Sequence, residues 1–122
     1  MMKKIVRVSL VAASMAMLTL TAGMAQDKTV TLTGHLVDQM CGAELKDAAK
    51  AAEHSKECAL MDHCAASGFG LFADGRYMKF DTGGSKKAKE LLEKTKKEKD
   101  IVVVAEGTLN NGVLTVAGLR EK

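Results

Sequence analysis

A small, mainly β domain with two helical regions is the fold class this sequence predicts, on three observations. Runs of period-two alternation are separated by compact turn signals. A Lys/Glu-rich stretch of helical period interrupts them once. A second interruption carries all three cysteines and, from Ala43 to Ser67, has no β-branched residue.

The chain opens with an expected export signal. Lys3, Lys4 and Arg7 form a positive start, and Val8 to Leu20 is apolar apart from Ser9, Ser14 and Thr19. Small residues at Gly23 and Ala25 then make an A-x-A-like cleavage site. Residues 1–25 are therefore expected to be a signal peptide, and 26–122 a single domain with a periplasmic or secreted location. The apolar run is shorter than the roughly 20 residues a membrane span needs. Met24 stands where a lipoprotein would have its lipid-bearing cysteine, so no membrane anchor is expected after cleavage.

The first strand is expected over Thr29 to Val37, where Val30, Leu32, Gly34 and Leu36 alternate with Thr29, Thr31, Thr33 and His35. Next, Leu45, Ala48, Ala49 and Ala52 fall at helical spacing, which predicts a helix from about Ala43 to His54. A further helical turn or two is expected over Cys58 to Ala66. Gly68 to Phe80 reads as a hairpin about Asp74-Gly75. That register sets Phe69 against Phe80 and Leu71 against Met78 on one face, with Phe72 and Tyr77 as an outward pair on the other. Ser85 is the expected N-cap of a helix whose apolar stripe is Ala88, Leu91, Leu92 and Thr95. Its Lys and Glu residues form a solvated face rather than a nucleic-acid patch. Ile101 to Leu109 and Val113 to Leu119 form a second hairpin about Asn110-Asn111-Gly112.

Five strands with a helix between the third and fourth match an OB-like small barrel. The Cys/His-rich segment is then a helical insert between strands one and two, a loop that lies at the binding face of such barrels. An open α+β sheet has the same element order and is the alternative.

Charge narrows the partners. All 15 acids and 15 of the 18 Lys and Arg residues lie beyond Ala25, so the processed chain is neutral. A neutral domain lacks the electrostatic footprint of nucleic-acid binding, and no nucleic-acid partner is expected.

The chemistry-bearing residues are Cys41, His54, Cys58, His63 and Cys64, with His35 alone on the polar side of the first strand. On a continuous helix His54 and Cys58 would share a face. Outside the cytoplasm thiols tend to pair, so a disulfide from Cys41 to Cys58 or Cys64 would staple the insert. The same five residues suit zinc or copper. No C-x-x-C is present, which opposes a zinc finger, a thioredoxin-type redox site and covalent haem. A Cys58–His54 nucleophile pair has no nameable third member. Asp38 is placed either to end the first strand or to orient a ligand near Cys41.

The stretch Gly34-His35-Leu36-Val37-Asp38-Gln39-Met40-Cys41-Gly42 resembles the G-x-L-V-D-x-x-C-G opening of a family of small exported bacterial proteins of unknown function. So do Cys58-Ala59-Leu60, the run Cys64-Ala65-Ala66-Ser67-Gly68-Phe69-Gly70, Asp74-Gly75-Arg76-Tyr77-Met78-Lys79-Phe80-Asp81, and Glu106-Gly107. The resemblance implies export, an OB-like barrel and joint action of Cys41, Cys58 and Cys64, and carries no activity. Two functions from different classes follow. One is an exported binding module for a small ligand, metal ion or protein partner, with metal held by the insert. The other is a structural or interaction protein whose cysteines form a stabilising disulfide.

Overall fold

The computed structural model describes residues 28–122, and the expected signal peptide lies outside them. Strand β1 spans Lys28–Asp38, followed by four short helices: α1 (Gln39–Gly42), α2 (Ala48–Glu53), α3 (Lys56–Ala59) and α4 (Asp62–Ala66). Strands β2 (Phe69–Ala73) and β3 (Arg76–Phe80) come next, then α5 (Thr82–Lys94) and strands β4 (Val102–Asn110) and β5 (Val113–Glu121). The five strands close into a barrel in the order β1-β2-β3-β5-β4. Closure rests on the length of β1. Its first part pairs with β4, Lys28 to His35 opposite Leu109 to Val102, and its last four residues pair with β2. Each of the five strands has a partner on both edges, the β3–β5 pairing completing the ring, and this excludes the open-sheet alternative. All pairings are antiparallel except β3 with β5, which run parallel at Lys79↔Val113 and Phe80↔Leu114.

Both expected hairpins form. Phe72 stands opposite Tyr77 and Leu71 opposite Met78, as alternation about Asp74-Gly75 requires. Asp74 and Gly75 take φ of 52° and 76°, and Asn111 and Gly112 take 50° and 76°. Two consecutive left-handed residues are the signature of the type I′ turn, whose twist matches that of paired strands. Inward residues of all five strands then fill the barrel, with Leu71, Val103, Ala105 and Leu114 fully buried. Helix α5 closes one end with Ala88 and Leu92, both fully buried.

The helices depart from expectation where local caps compete with periodicity. The Asp38 side chain accepts the Cys41 N–H, so α1 starts directly at the end of β1. The Asp47 side chain accepts the Lys50 N–H and starts α2 only at Ala48. The Ser55 hydroxyl starts α3 in the same way. Short polar side chains that bond the backbone ahead of them break a long helix into capped pieces. His54 is therefore the residue that ends α2, and Cys58 lies in α3, so the helix face they were expected to share does not exist. Helix α5 also begins earlier, because Asp81, not Ser85, accepts the Gly84 N–H. Ser85 Oγ instead accepts the Phe69 N–H at the start of β2.

The outer faces of Phe72 and Tyr77 are not open. The insert folds over them, and Val37, Ala51 and Phe72 form a second small core flanked by Cys41, Leu45 and Tyr77. Backbone bonds pin the insert's far side to the segment after α5. The Lys56 N–H donates to Glu98 O at 2.8 Å and the Asp100 N–H to Ala52 O at 2.9 Å. His35 is not bare surface either, since its Nε2 lies 2.6 Å from Asp100 Oδ1 and anchors the same segment.

Candidate metal centre

The site is built where β1 ends. Asp38 is the last residue of the strand, and its side chain is fully buried beneath the insert. Its Oδ2 accepts the Cys41 N–H at 3.0 Å. That cap fixes the first turn of α1 and with it the Cys41 side chain. From the other end of the insert, α4 supplies Cys64, which is 5% exposed. One oxygen of Asp38 and the sulfurs of Cys41 and Cys64 all lie within 4.8 Å of one another. Two thiols and a carboxylate from opposite ends of the insert thus meet at one point.

The fourth polar group is His54. Its Nε2 is 2.7 Å from Asp38 Oδ1, with its side chain only 12% exposed. The approach is close, yet neither atom forms a properly directed hydrogen bond. Buried polar atoms are normally paired, and exceptions mark strain, chemistry or an additional partner. Burial alone would raise the Asp38 pKa, but the His54 contact and the Cys41 N–H outweigh it and leave it below the ordinary value. Asp38 is therefore an anion inside the protein at neutral pH, with an imidazole as its neighbour.

Burial and that anion together act on the thiols. Burial and then the charge of Asp38 push the Cys41 thiol up to about 11. The same two causes, in the same order, raise Cys64. Both cysteines are protonated at neutral pH, which makes them poor nucleophiles, because the thiolate is the reactive form. A cation placed among the three groups would reverse this, since metal binding deprotonates its thiol ligands.

Tyr77 and two glycines shape the floor. The Tyr77 hydroxyl donates to Val37 O at 3.0 Å, and burial raises its pKa. A Cβ built on Gly42 would lie 2.3 Å from the Tyr77 ring, and one on Gly70 would lie 2.4 Å from its hydroxyl oxygen. Gly42 is helical and has no positive φ. What it provides is room: the ring passes where a side chain would stand.

The five sequence-predicted ligands thus separate. Cys41 and Cys64 meet, and His54 reaches them through Asp38. Cys58 and His63 are both exposed and belong to no potential metal-holding cluster among the described residues. All three cysteines are free thiols, so the bridge expected from Cys41 is not formed. Cys58, on α3, is outside the cluster, whereas Cys64 is Cys41's neighbour. Asp38 is the candidate ligand that sequence reasoning undervalued. Its signal was the D-x-x-C spacing, which is the spacing of an N-cap and the residue whose N–H it accepts. Compared with family models, with curated proteins and with solved structures, the chain matches none, so the functional reading rests on this geometry.

Proposed function

We propose that the protein is an exported, OB-like binding module that holds a zinc ion through Asp38, Cys41 and Cys64. The observation that carries this is the convergence of one carboxylate and two thiols within 4.8 Å around a fully buried Asp38 whose Oδ1 has no directed hydrogen bond. Strand order, the helix between β3 and β4 and the insert between β1 and β2 support the OB-like assignment. Fold is no evidence of ligand, so the donor set decides.

That set favours zinc over copper. Zinc accepts sulfur, nitrogen and carboxylate oxygen in tetrahedral geometry. Copper(I) is selected by purely soft ligands, and here the third donor is a hard carboxylate. His54 acts from outside the three donors and orients Asp38, a role that outer partners of metal ligands commonly fill. The fourth position is left to water or to an external ligand, reached from the side of Cys41, which is partly exposed.

A second reading is favoured by the nearness of the same two sulfurs. In an oxidising compartment Cys41 and Cys64 pass two electrons and two protons to a disulfide such as oxidised glutathione, which leaves as two thiols, and an S–S bond staples the insert. Bridge and metal exclude each other. Mass spectrometry of the exported protein separates them. Under native conditions, one zinc that is lost on chelation supports the metal site. A metal-free mass two hydrogens lighter, with Cys41 linked to Cys64 in a digest, supports the bridge. Free thiols that take up no zinc contradict both.

A further inference from the structure

A groove of about 590 Å³ runs beside Tyr77, and its walls come from three separate elements. The turn after α1 contributes Leu45 and Lys46, strand β3 contributes Arg76, Tyr77 and Lys79, and the β4–β5 turn ends in Val113. Three cations line it and no acid does. Glu44, Asp47, Asp74 and Asp81, the acids within two residues of these cations in sequence, stay outside the lining. None of the three cations has a salt-bridge partner among the described residues, whose ion pairs are His35–Asp100, His54–Asp38 and Lys56–Glu98. Between the cations, Leu45, Tyr77 and Val113 give an apolar floor, and Val113 is 39% exposed.

The groove also has a strand edge. β3 pairs with β5 only at Lys79 and Phe80. The Lys79 N–H points to that side and donates to Gly112 O at 3.1 Å. Backbone groups two residues apart on a strand point to the same edge, so Tyr77 presents its N–H and C=O there as well. No β5 residue stands opposite Tyr77, because β5 begins at Val113. An unpaired strand edge opening onto a groove is the arrangement by which an extended peptide adds to a sheet.

We propose that this groove is a docking site for an acidic, extended peptide segment of a protein partner. The segment pairs its backbone with Tyr77, places acidic side chains against Lys46, Arg76 and Lys79, and lays apolar ones on Leu45 and Val113. This site shares Tyr77 with the floor of the thiol cluster but uses none of Asp38, Cys41 and Cys64, and its test holds whichever way the zinc test falls.

The experiment titrates the full exported chain with a fluorescent octapeptide of alternating glutamate and valine, at low salt, by anisotropy. Three comparisons accompany it: the peptide N-methylated at alternate amides, a lysine–valine octapeptide and a hexamer of galacturonate. Saturable binding of the glutamate peptide is expected, weakened about tenfold or more by Arg76→Glu with Lys79→Glu and by N-methylation. Circular dichroism and thermal melting confirm that the variant remains folded, and if it does not, Arg76→Gln and Lys79→Gln are used with the same expectation. Absence of saturable binding overturns the proposal. So does indifference to the charge changes or to N-methylation, equal binding of the lysine peptide, or tighter binding of the galacturonate hexamer, which would make the groove a site for anionic sugars.

Discussion

The barrel interior is sealed by side chains such as Leu71, Leu92, Val103 and Leu114, none of which carries a polar atom. The insert closes over Val37, Ala51 and Phe72 and, beside them, over a buried carboxylate, an imidazole and two thiols. The two regions therefore respond to different variables. Apolar burial in the barrel is indifferent to pH, redox state and metal. The insert has too little apolar area of its own, and its closure depends on polar groups whose charge and partners change with conditions. A ligand that joins Asp38, Cys41 and Cys64 would act as part of the insert's core.

The largest effect is expected in the barrel. Leu114→Ala removes a fully buried side chain and should cost about 2–5 kcal/mol, with barrel and insert unfolding together in denaturant. Preferential loss of the insert in that variant would break the comparison. Gly42→Ala should act locally. Its Cβ meets the Tyr77 ring, and overpacking of this kind costs about 1–3 kcal/mol. Hydrogen exchange should show amides of residues 39–66 losing protection while those of β4 and β5 keep theirs. Uniform loss across both regions would mean that the insert is not a separate unit.

The pH limits sharpen the contrast further in metal-free protein. Asp38 has a depressed pKa in the folded state, so its contribution is complete above the unfolded value of about 3.9 and is lost as pH falls through the lower folded value. His54→Gln removes the close neighbour that offsets burial, so this variant should be less stable than wild type by about 1 kcal/mol or more at pH 7, a difference that shrinks as pH falls through the folded Asp38 value. A His54→Gln variant as stable as wild type at pH 7 would remove the imidazole from the account. On the alkaline side the sign reverses. Cys41 is raised to about 11 from 9.0, so its contribution is complete below 9.0 and is lost as pH rises through 11. Cys41→Ser should flatten this alkaline loss, the smallest of the effects, in melts recorded with a chelator and a reductant. An unchanged slope between pH 9 and 11 would show that burial and Asp38 together do not raise the thiol.

The barrel was more legible in the sequence than the insert for a physical reason. Alternation along β1, β4 and β5 and the turns Asp74-Gly75 and Asn111-Gly112 are local signals, and the tertiary structure agrees with them. The insert's helices depend on single capping residues, Asp38, Asp47 and Ser55, which periodicity does not weigh. The site was half visible. Cys41 and Cys64 were named, but so were Cys58 and His63, because ligand type is written in sequence and direction is not. Asp38 reads as a strand terminator until the insert covers it. Likewise Phe72 and Tyr77 read as an outward pair until Ala51 and Leu45 are folded onto them.

The central claim is that Asp38, Cys41 and Cys64 share one divalent cation. Cobalt(II) titration of reduced protein, followed by absorption, tests it directly, because sulfur-to-cobalt charge transfer counts thiolates at the metal. The account predicts saturation at one equivalent with a two-thiolate spectrum. That spectrum should be reversed by zinc, lost in Cys64→Ser and in Cys41→Ser, weakened in Asp38→Asn, and unchanged in Cys58→Ser and His63→Ala. A spectrum that survives Cys64→Ser but is lost in Cys58→Ser, or no charge-transfer band at all, would contradict it.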